Sequence, residues 1–263
     1  MLVEYDGTRF AGFQRQGPAR GPTVQGALEA ALERIAGAVV RIEAAGRTDA
    51  GAHASGQVVS FRSTARLDPA TWARAVNAHL PDDVGIRAAA AVDESFHARY
   101  SAVARSYRYR VIGDGAPSPL RERYALRVAR PLDVGAMDAA AAALLGEHDF
   151  GAFGSSPSDR RADGVRGHCV RVMQEARCRR VAAEEGGEIV AFEFTANAFL
   201  TGMVRRLVGA LLLVGAGRMT EEGFAAILAA REQAHAGAAV AARGLCLVGV
   251  SYPPGAVEWK RVG

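Results

Sequence analysis

The sequence predicts an α+β fold with largely antiparallel sheet. Some strand-like segments are separated by helices, whereas others follow one another as direct hairpins, and that mixed order carries the reading. The segment SAVARSYRYRVI (101–112) adds to it. It sets Tyr107, Tyr109 and Val111 on one face and Ser106, Arg108 and Arg110 on the other, the alternation of a strand with one buried side. With 263 residues, 49% of them apolar and 23% charged, the chain can bury a sizeable core in one large domain or two small ones.

The chain opens on a strand-like run and enters a loop rich in Gly, Pro and Arg, DGTRFAGFQRQGPARGP (6–22). A helix follows. Thr23 suits its N-cap, Val24, Ala27, Leu28, Ala31, Leu32 and Ile35 form one apolar stripe, and Gly37 ends it. VVRIEA (39–44) and GQVVSF (56–61) are rich in β-branched residues and read as strands. Between them lies a glycine-punctuated loop with Arg47, Asp49 and His53 displayed at its tip. Asp68-Pro69 starts a second helix, which Pro81 stops, and DVGIRAAAAV (83–92) reads as a strand.

After the alternating strand, residues 113–123 read as a loop. An alanine-rich helix, capped near Asp133 and closed by Gly146, leads into a long irregular segment, 147–167, of a length that is usually functional or mobile. Two strands, CVRVMQEARCRRV (169–181) and EIVAFEFTA (188–196), are joined through EEGG. A near-wholly apolar helix (198–214), a shorter helix (220–231) and a final strand, GLCLVGVSY (244–252), complete the order. A break near residues 95–102 divides the chain into lobes 1–98 and 99–257, with 258–263 as a tail.

Net charge is only +4, but the arginines cluster: eight fall between Arg99 and Arg130, and seven between Arg160 and Arg180. Two basic stretches suggest a polyanion partner, with nucleic acid first, or else a solvated arginine-rich surface. Cys169, Cys178 and Cys246 fit no zinc spacing and read as reduced thiols. The N-terminus shows no signal-peptide pattern. The longest apolar run, 207–216, is far short of the roughly 20 residues that span a bilayer. No dinucleotide or phosphate-binding glycine motif and no metal-ligand spacing stands out.

Three places in the sequence carry possible chemistry. Asp49, a carboxylate between glycines and strands, is either a turn former or a reactive group, and Arg47 two residues earlier could pair with it or with a phosphate. Arg205 and Arg206 sit in a helix whose other residues are mostly apolar. Either one of them meets an anion or an RNA phosphate, or both snorkel from the helix edge. Tyr107 lies among Arg105, Arg108 and Arg110, a mixture that suits base stacking beside held phosphates.

Seven segments, YDGTRFAGFQRQ, TVQGALEAAL, AAGRTDAGAHASGQVVSF, SFHARYSAVARSYRYRV, GEHDFGAF, NAFLTGMVRRLVG and GLCLVGVSY, occur in order between about Val3 and Tyr252. Together they resemble the tRNA pseudouridine synthase A family. That resemblance implies a pseudouridine synthase-like fold, with two α/β lobes sharing a mixed sheet and a basic cleft between them. It implies conversion of uridine to pseudouridine at positions 38, 39 and 40 of the tRNA anticodon stem-loop. It further implies no metal or small-molecule cofactor, a homodimer, no membrane contact and a cytoplasmic location.

By the same resemblance Asp49 is the catalytic carboxylate, Tyr107 packs against the target base, and Arg205 pairs with the aspartate. Arg47 takes part in base flipping, and Thr48, His53, Arg105 and Arg206 join Arg47 and Tyr107 in binding substrate. Gly202 stands where the family commonly has histidine, and Ala52 where it has valine. A tRNA-binding protein of the same fold without turnover is the competing expectation, and replacement of Asp49 separates the two.

Overall fold

The structure is a computed structural model that describes residues 1–17, 20–113, 116–155, 168–182, 188–230 and 237–261. It divides into two compact units: Met1–Arg105 with Cys246–Gly263, and Ser106–Leu245. By compactness the division falls between Arg105 and Ser106, and Cys246–Gly263 groups with the beginning of the chain.

In the first unit, β1 (Leu2–Tyr5) lies antiparallel between β3 (His53–Phe61) and β4 (Val84–Ala89). The short β2 (Ile42–Ala44) pairs with β3 as well. Two helices, α1 (Val24–Ala36) and α2 (Pro69–Asn77), complete this part of the chain, and α2 packs against β4. Both helices begin as the sequence dictates. The Thr23 hydroxyl accepts from Gly26 N at 3.2 Å, and Asp68 accepts from Ala70 N and Thr71 N at 3.0 and 3.1 Å. Gly37 ends α1 in the left-handed conformation, with φ 66°. Val24, Leu28, Ala31 and Leu32 of α1 are almost wholly buried, as the apolar stripe requires.

The second unit begins on β5, whose full span is Ala104–Ile112. The burial of β5 alternates from Arg105 to Val111 as the sequence predicts, and β9 (Glu188–Ala196) is its neighbour. The sheet continues through β8 (Val170–Ala182) to β7 (Gly146–Asp149), both pairings antiparallel. Two short elements break the expected 113–123 loop and its continuation: α3 (Pro119–Glu122) and β6 (Leu126–Arg127), which pairs parallel with β5. Helices α4 (Val134–Ala142), α5 (Met203–Gly215) and α6 (Glu221–Ala230) pack on one another, and α4 also packs on β8. Their core includes Met137, Leu207, Leu211 and Phe224, each at 0% exposure.

The chain ends in the first unit. There β10 (Leu245–Ser251) runs parallel to β3, and β11 (Lys260–Arg261) pairs antiparallel with β4 inside the expected tail. The predicted α+β class with largely antiparallel pairing is the fold observed, and the β3/β10 and β5/β6 pairs run parallel. Most of the long segment expected at 147–167, the EEGG turn and residues 160–167 of the second basic stretch lie outside the described residues. Among the described residues no helix is long and apolar enough to cross a membrane.

Candidate active site

The loop between β2 and β3 is fixed almost residue by residue. Ala45 N donates to Val58 O at 2.8 Å, and the Gly46 carbonyl accepts from Gln57 Nε2 at 2.8 Å. The buried Thr48 hydroxyl shares a 2.8 Å hydrogen bond with Tyr5 Oη, while its carbonyl accepts from Phe13 N at 3.1 Å. Gly51, left-handed at φ 79°, donates to Phe10 O at 3.3 Å, and Ala52 N closes the turn onto Asp49 O at 3.1 Å. With the backbone so occupied, the exposed Arg47 and the half-buried Asp49 are the charged side chains the loop presents.

Beneath the loop a 3-10 turn, Gly7–Arg9, follows β1, and its N-cap Asp6 accepts from Thr8 N at 2.9 Å. Gly7 N donates to His53 Nδ1 at 3.1 Å, and Asp6 Oδ1 stands 3.2 Å from the same ring nitrogen. His53 is therefore not at the loop tip, as the sequence suggested. It is the first residue of β3 and only 6% exposed. The reason is tertiary: His53 and Ala54 pair with Cys246 and Leu247 of β10, which extends the strand backwards through small residues that read locally as loop.

Arg105 is also buried, and its guanidinium donates to main-chain carbonyls, including that of Ala45 at the start of the loop. Of the residues singled out in the sequence, Arg47, Thr48, Asp49, His53 and Arg105 thus belong to the first unit, four of them within one loop and its following strand.

Tyr107, Arg205 and Arg206 belong to the second unit. Tyr107 is 8% exposed, and Phe199 meets its ring edge-to-face with centroids 4.9 Å apart. Arg205 is half-buried in the first turns of α5. Its Nε donates to Val240 O at 2.6 Å, and its own carbonyl accepts from Val240 N at 3.3 Å. The expectation for the arginine pair thus meets a main-chain oxygen at Arg205, while Arg206 folds its guanidinium back over Gly202. Gly202 is left-handed at φ 72°, and a Cβ there would stand 2.8 Å from an Arg206 terminal nitrogen. A side chain at 202 would displace Arg206.

The same unit gathers part of the basic stretch 99–130. Arg108, Arg110 and Arg121, with Arg179, line a pocket of about 340 Å³. Glu193 within it pairs with Arg108 at 2.7 Å and with Arg179 at 2.6 Å. Among the described residues no group of three or more His, Cys, Asp or Glu side chains is placed to hold a metal ion.

Sequence reasoning passed over Tyr5, Gln57, Phe199 and Glu29. Gln57 carried a usable signal, a lone amide inside the β-branched run GQVVSF, since a buried amide must find partners. Glu29 carried another, an acid set among the apolar residues of α1. It is 2% exposed, and it accepts from Gln25 Nε2 at 3.0 Å, Arg41 at 2.9 Å and Ile42 N at 3.3 Å. Tyr5 and Phe199 gave no such signal, because their contacts are made only in three dimensions.

Residues 1–101 and 140–253 match the family model described as tRNA pseudouridine synthase. A tRNA pseudouridine synthase A of Roseiflexus castenholzii (strain DSM 13941 / HLO8) is 46% identical over 254 residues, covering 96% of this chain and 90% of that protein. One from Moorella thermoacetica (strain ATCC 39073 / JCM 9320) is 43% identical over 252 residues, with 96% and 98% covered. One from Xanthomonas campestris pv. campestris (strain B100) is 41% identical over 257 residues, with 98% and 95% covered.

Proposed function

Because the chain belongs to the tRNA pseudouridine synthase family, we propose that it isomerises uridine to pseudouridine at positions 38, 39 and 40 of the tRNA anticodon stem-loop, with Asp49 as the catalytic carboxylate. The observation that supports Asp49 is its place in the loop. Gly46, Thr48, Gly51 and Ala52 around it are each held by hydrogen bonds, so the carboxyl is presented from a backbone that does not need to reorganise.

In the isomerisation the N1–C1′ bond breaks, the uracil turns in place and C5 bonds to C1′. The C5 proton leaves, and N1 takes one up. A carboxylate serves this by attack on C1′, by attack on the base, or by taking the C2′ proton to give a glycal. A paired target must first leave its stack, at a cost of about a few kcal/mol. Arg47, exposed beside Asp49, fills the space the base leaves. Tyr107 bounds the base, Arg205 takes part in catalysis, and Arg206 meets the RNA backbone. Recognition by shape lets neighbouring uridines serve as substrates. The protein works as a cytoplasmic homodimer and needs neither metal nor organic cofactor.

Nucleoside mass mapping of a tRNA transcript with uridines at 38–40 tests this reading, with wild-type protein or Asp49→Ala, and with EDTA present or absent. Pseudouridine at those sites with the wild type alone, unaffected by EDTA, is the expected result. An unmodified transcript that both proteins nevertheless bind would leave a tRNA-binding protein instead.

A further inference from the structure

Arg105 is the one buried arginine among the described residues, at 8% exposure. A guanidinium taken out of water needs its N–H donors met and its charge faced by oxygen. Main-chain oxygens do this here. Nε and one terminal nitrogen donate to Ala45 O at 3.2 and 3.1 Å, the other terminal nitrogen donates to Ala102 O at 3.1 Å, and the first also donates to Arg99 O. Four of these contacts on a group with five N–H donors leave little with which to grip a phosphate.

The oxygen that takes two of them matters. Ala45 follows the last residue of β2 and precedes the turn through Gly46, Arg47 and Thr48 to Asp49. The next carbonyl, of Gly46, is held by Gln57, which is wholly buried in β3. Successive carbonyls at the root of the loop are therefore fixed by two buried side chains, one from β5 and one from β3.

We infer that Arg105 is a positioning residue for Asp49 and does not contact RNA, its guanidinium fork setting the direction in which the loop leaves β2. The inference rests on the reading of Asp49 as the reacting carboxylate. It reassigns an arginine that its place in a basic stretch marks as a substrate ligand. Lysine cannot replace it, because an ammonium's donors radiate from one atom and cannot span carbonyls at residues 45, 99 and 102.

The test is Arg105→Lys, assayed on the tRNA transcript for kcat, KM and the dependence of binding on salt. A displacement of the loop by about 1 Å lowers kcat on the order of 100-fold, with KM and the slope of log Kobs against log[salt] unchanged. A slope flattened by about 1, the mark of a lost phosphate contact, would overturn the inference, as would full kcat in the folded variant.

Arginine footprinting of the wild-type protein with a glyoxal reagent, with and without tRNA, decides the matter if the variant does not fold. Arg105 is expected to stay unlabelled in both conditions. Labelling of the free protein that tRNA suppresses would refute the inference. A wild type that forms no pseudouridine would sink the reading of Asp49, and the footprint would still report whether Arg105 touches RNA.

Discussion

Gly7→Ala is the most demanding perturbation of the first unit, because Gly7 lies directly under the end of the loop that carries Asp49. A Cβ built at Gly7 stands 2.6 Å from the carbonyl carbon of Ala52, with the oxygen closer still, whereas ordinary contact begins at 3.4 Å. Both partners of that clash are fixed. Gly7 N donates to His53 Nδ1, and Ala52 N donates to Asp49 O at 3.1 Å. Neither atom is the end of a flexible side chain, so the 3-10 turn and the loop must separate by close to an ångström.

Overpacking that cannot be absorbed costs about 3 kcal/mol, and the loss of glycine's freedom in the unfolded chain returns about 0.4–1 kcal/mol of it. The net, roughly 2–3 kcal/mol, corresponds to a fall in melting temperature of roughly 5–10 °C for a chain of this size. Displacement of the loop that carries Asp49 lowers single-turnover pseudouridine formation on the order of 100-fold. Gly85→Ala is the matched control, since a Cβ there meets nothing within 4 Å. If Gly7→Ala melts and turns over as Gly85→Ala does, the account of a loop held from below is wrong.

Tyr5→Phe deprives the buried Thr48 hydroxyl of its 2.8 Å partner and costs about 1–2 kcal/mol in urea denaturation, with a loss of turnover in the same direction as Gly7→Ala. If Arg47 assists extrusion as proposed, Arg47→Ala slows modification of a base-paired uridine more than of an unpaired one, read on two transcripts that differ in that pairing. Burial, and after it the nearby Asp138, pushes the Cys178 thiol up to about 12, so a disulfide reagent at pH 8 labels the half-buried Cys246 and leaves Cys178 unlabelled until the protein unfolds. The same thiol contributes stability that is fully present below its unfolded value of 9.0. That contribution is lost as pH rises towards 12, at about 1.4 kcal/mol per unit, so the urea midpoint falls across that window.

Much of this was legible in the residues because the signals were local. Thr23 and Gly37 bracket α1, Asp68-Pro69 opens α2, and the alternation of Tyr107, Tyr109 and Val111 fixes the buried side of β5. Where partners lie far along the chain, local signals failed. His53 through Ser55 look like loop, yet they extend β3 because β1 and β10 supply hydrogen-bonding edges on its two sides. Gly146 was read as a helix stop. It is the left-handed first residue of β7, a strand visible only through its pairing with β8.

The site shows the same division. Asp49 and Arg47 stood out by their setting among glycines and small residues. That Arg105 turns inward to hold Ala45 could not be told from a sequence in which it is one arginine of eight. Glu29 carried a local signal, an acid among the apolar residues of α1, but its partners from residues 25, 41 and 42 converge on it only in the fold.

The return of β10 and β11 to the first unit has a consequence for how the protein comes into being. The second unit is one unbroken stretch of chain, Ser106–Leu245, and is complete as soon as that stretch has left the ribosome. The first unit is synthesised first but finished last. Until residues 246–261 arrive, β3 lacks its parallel neighbour and β4 its outer one. Domains that are contiguous in the chain fold as they emerge, so here the order of maturation runs against the order of translation. The loop that carries Asp49 is therefore held by a complete first unit only after residues 246–261 have emerged.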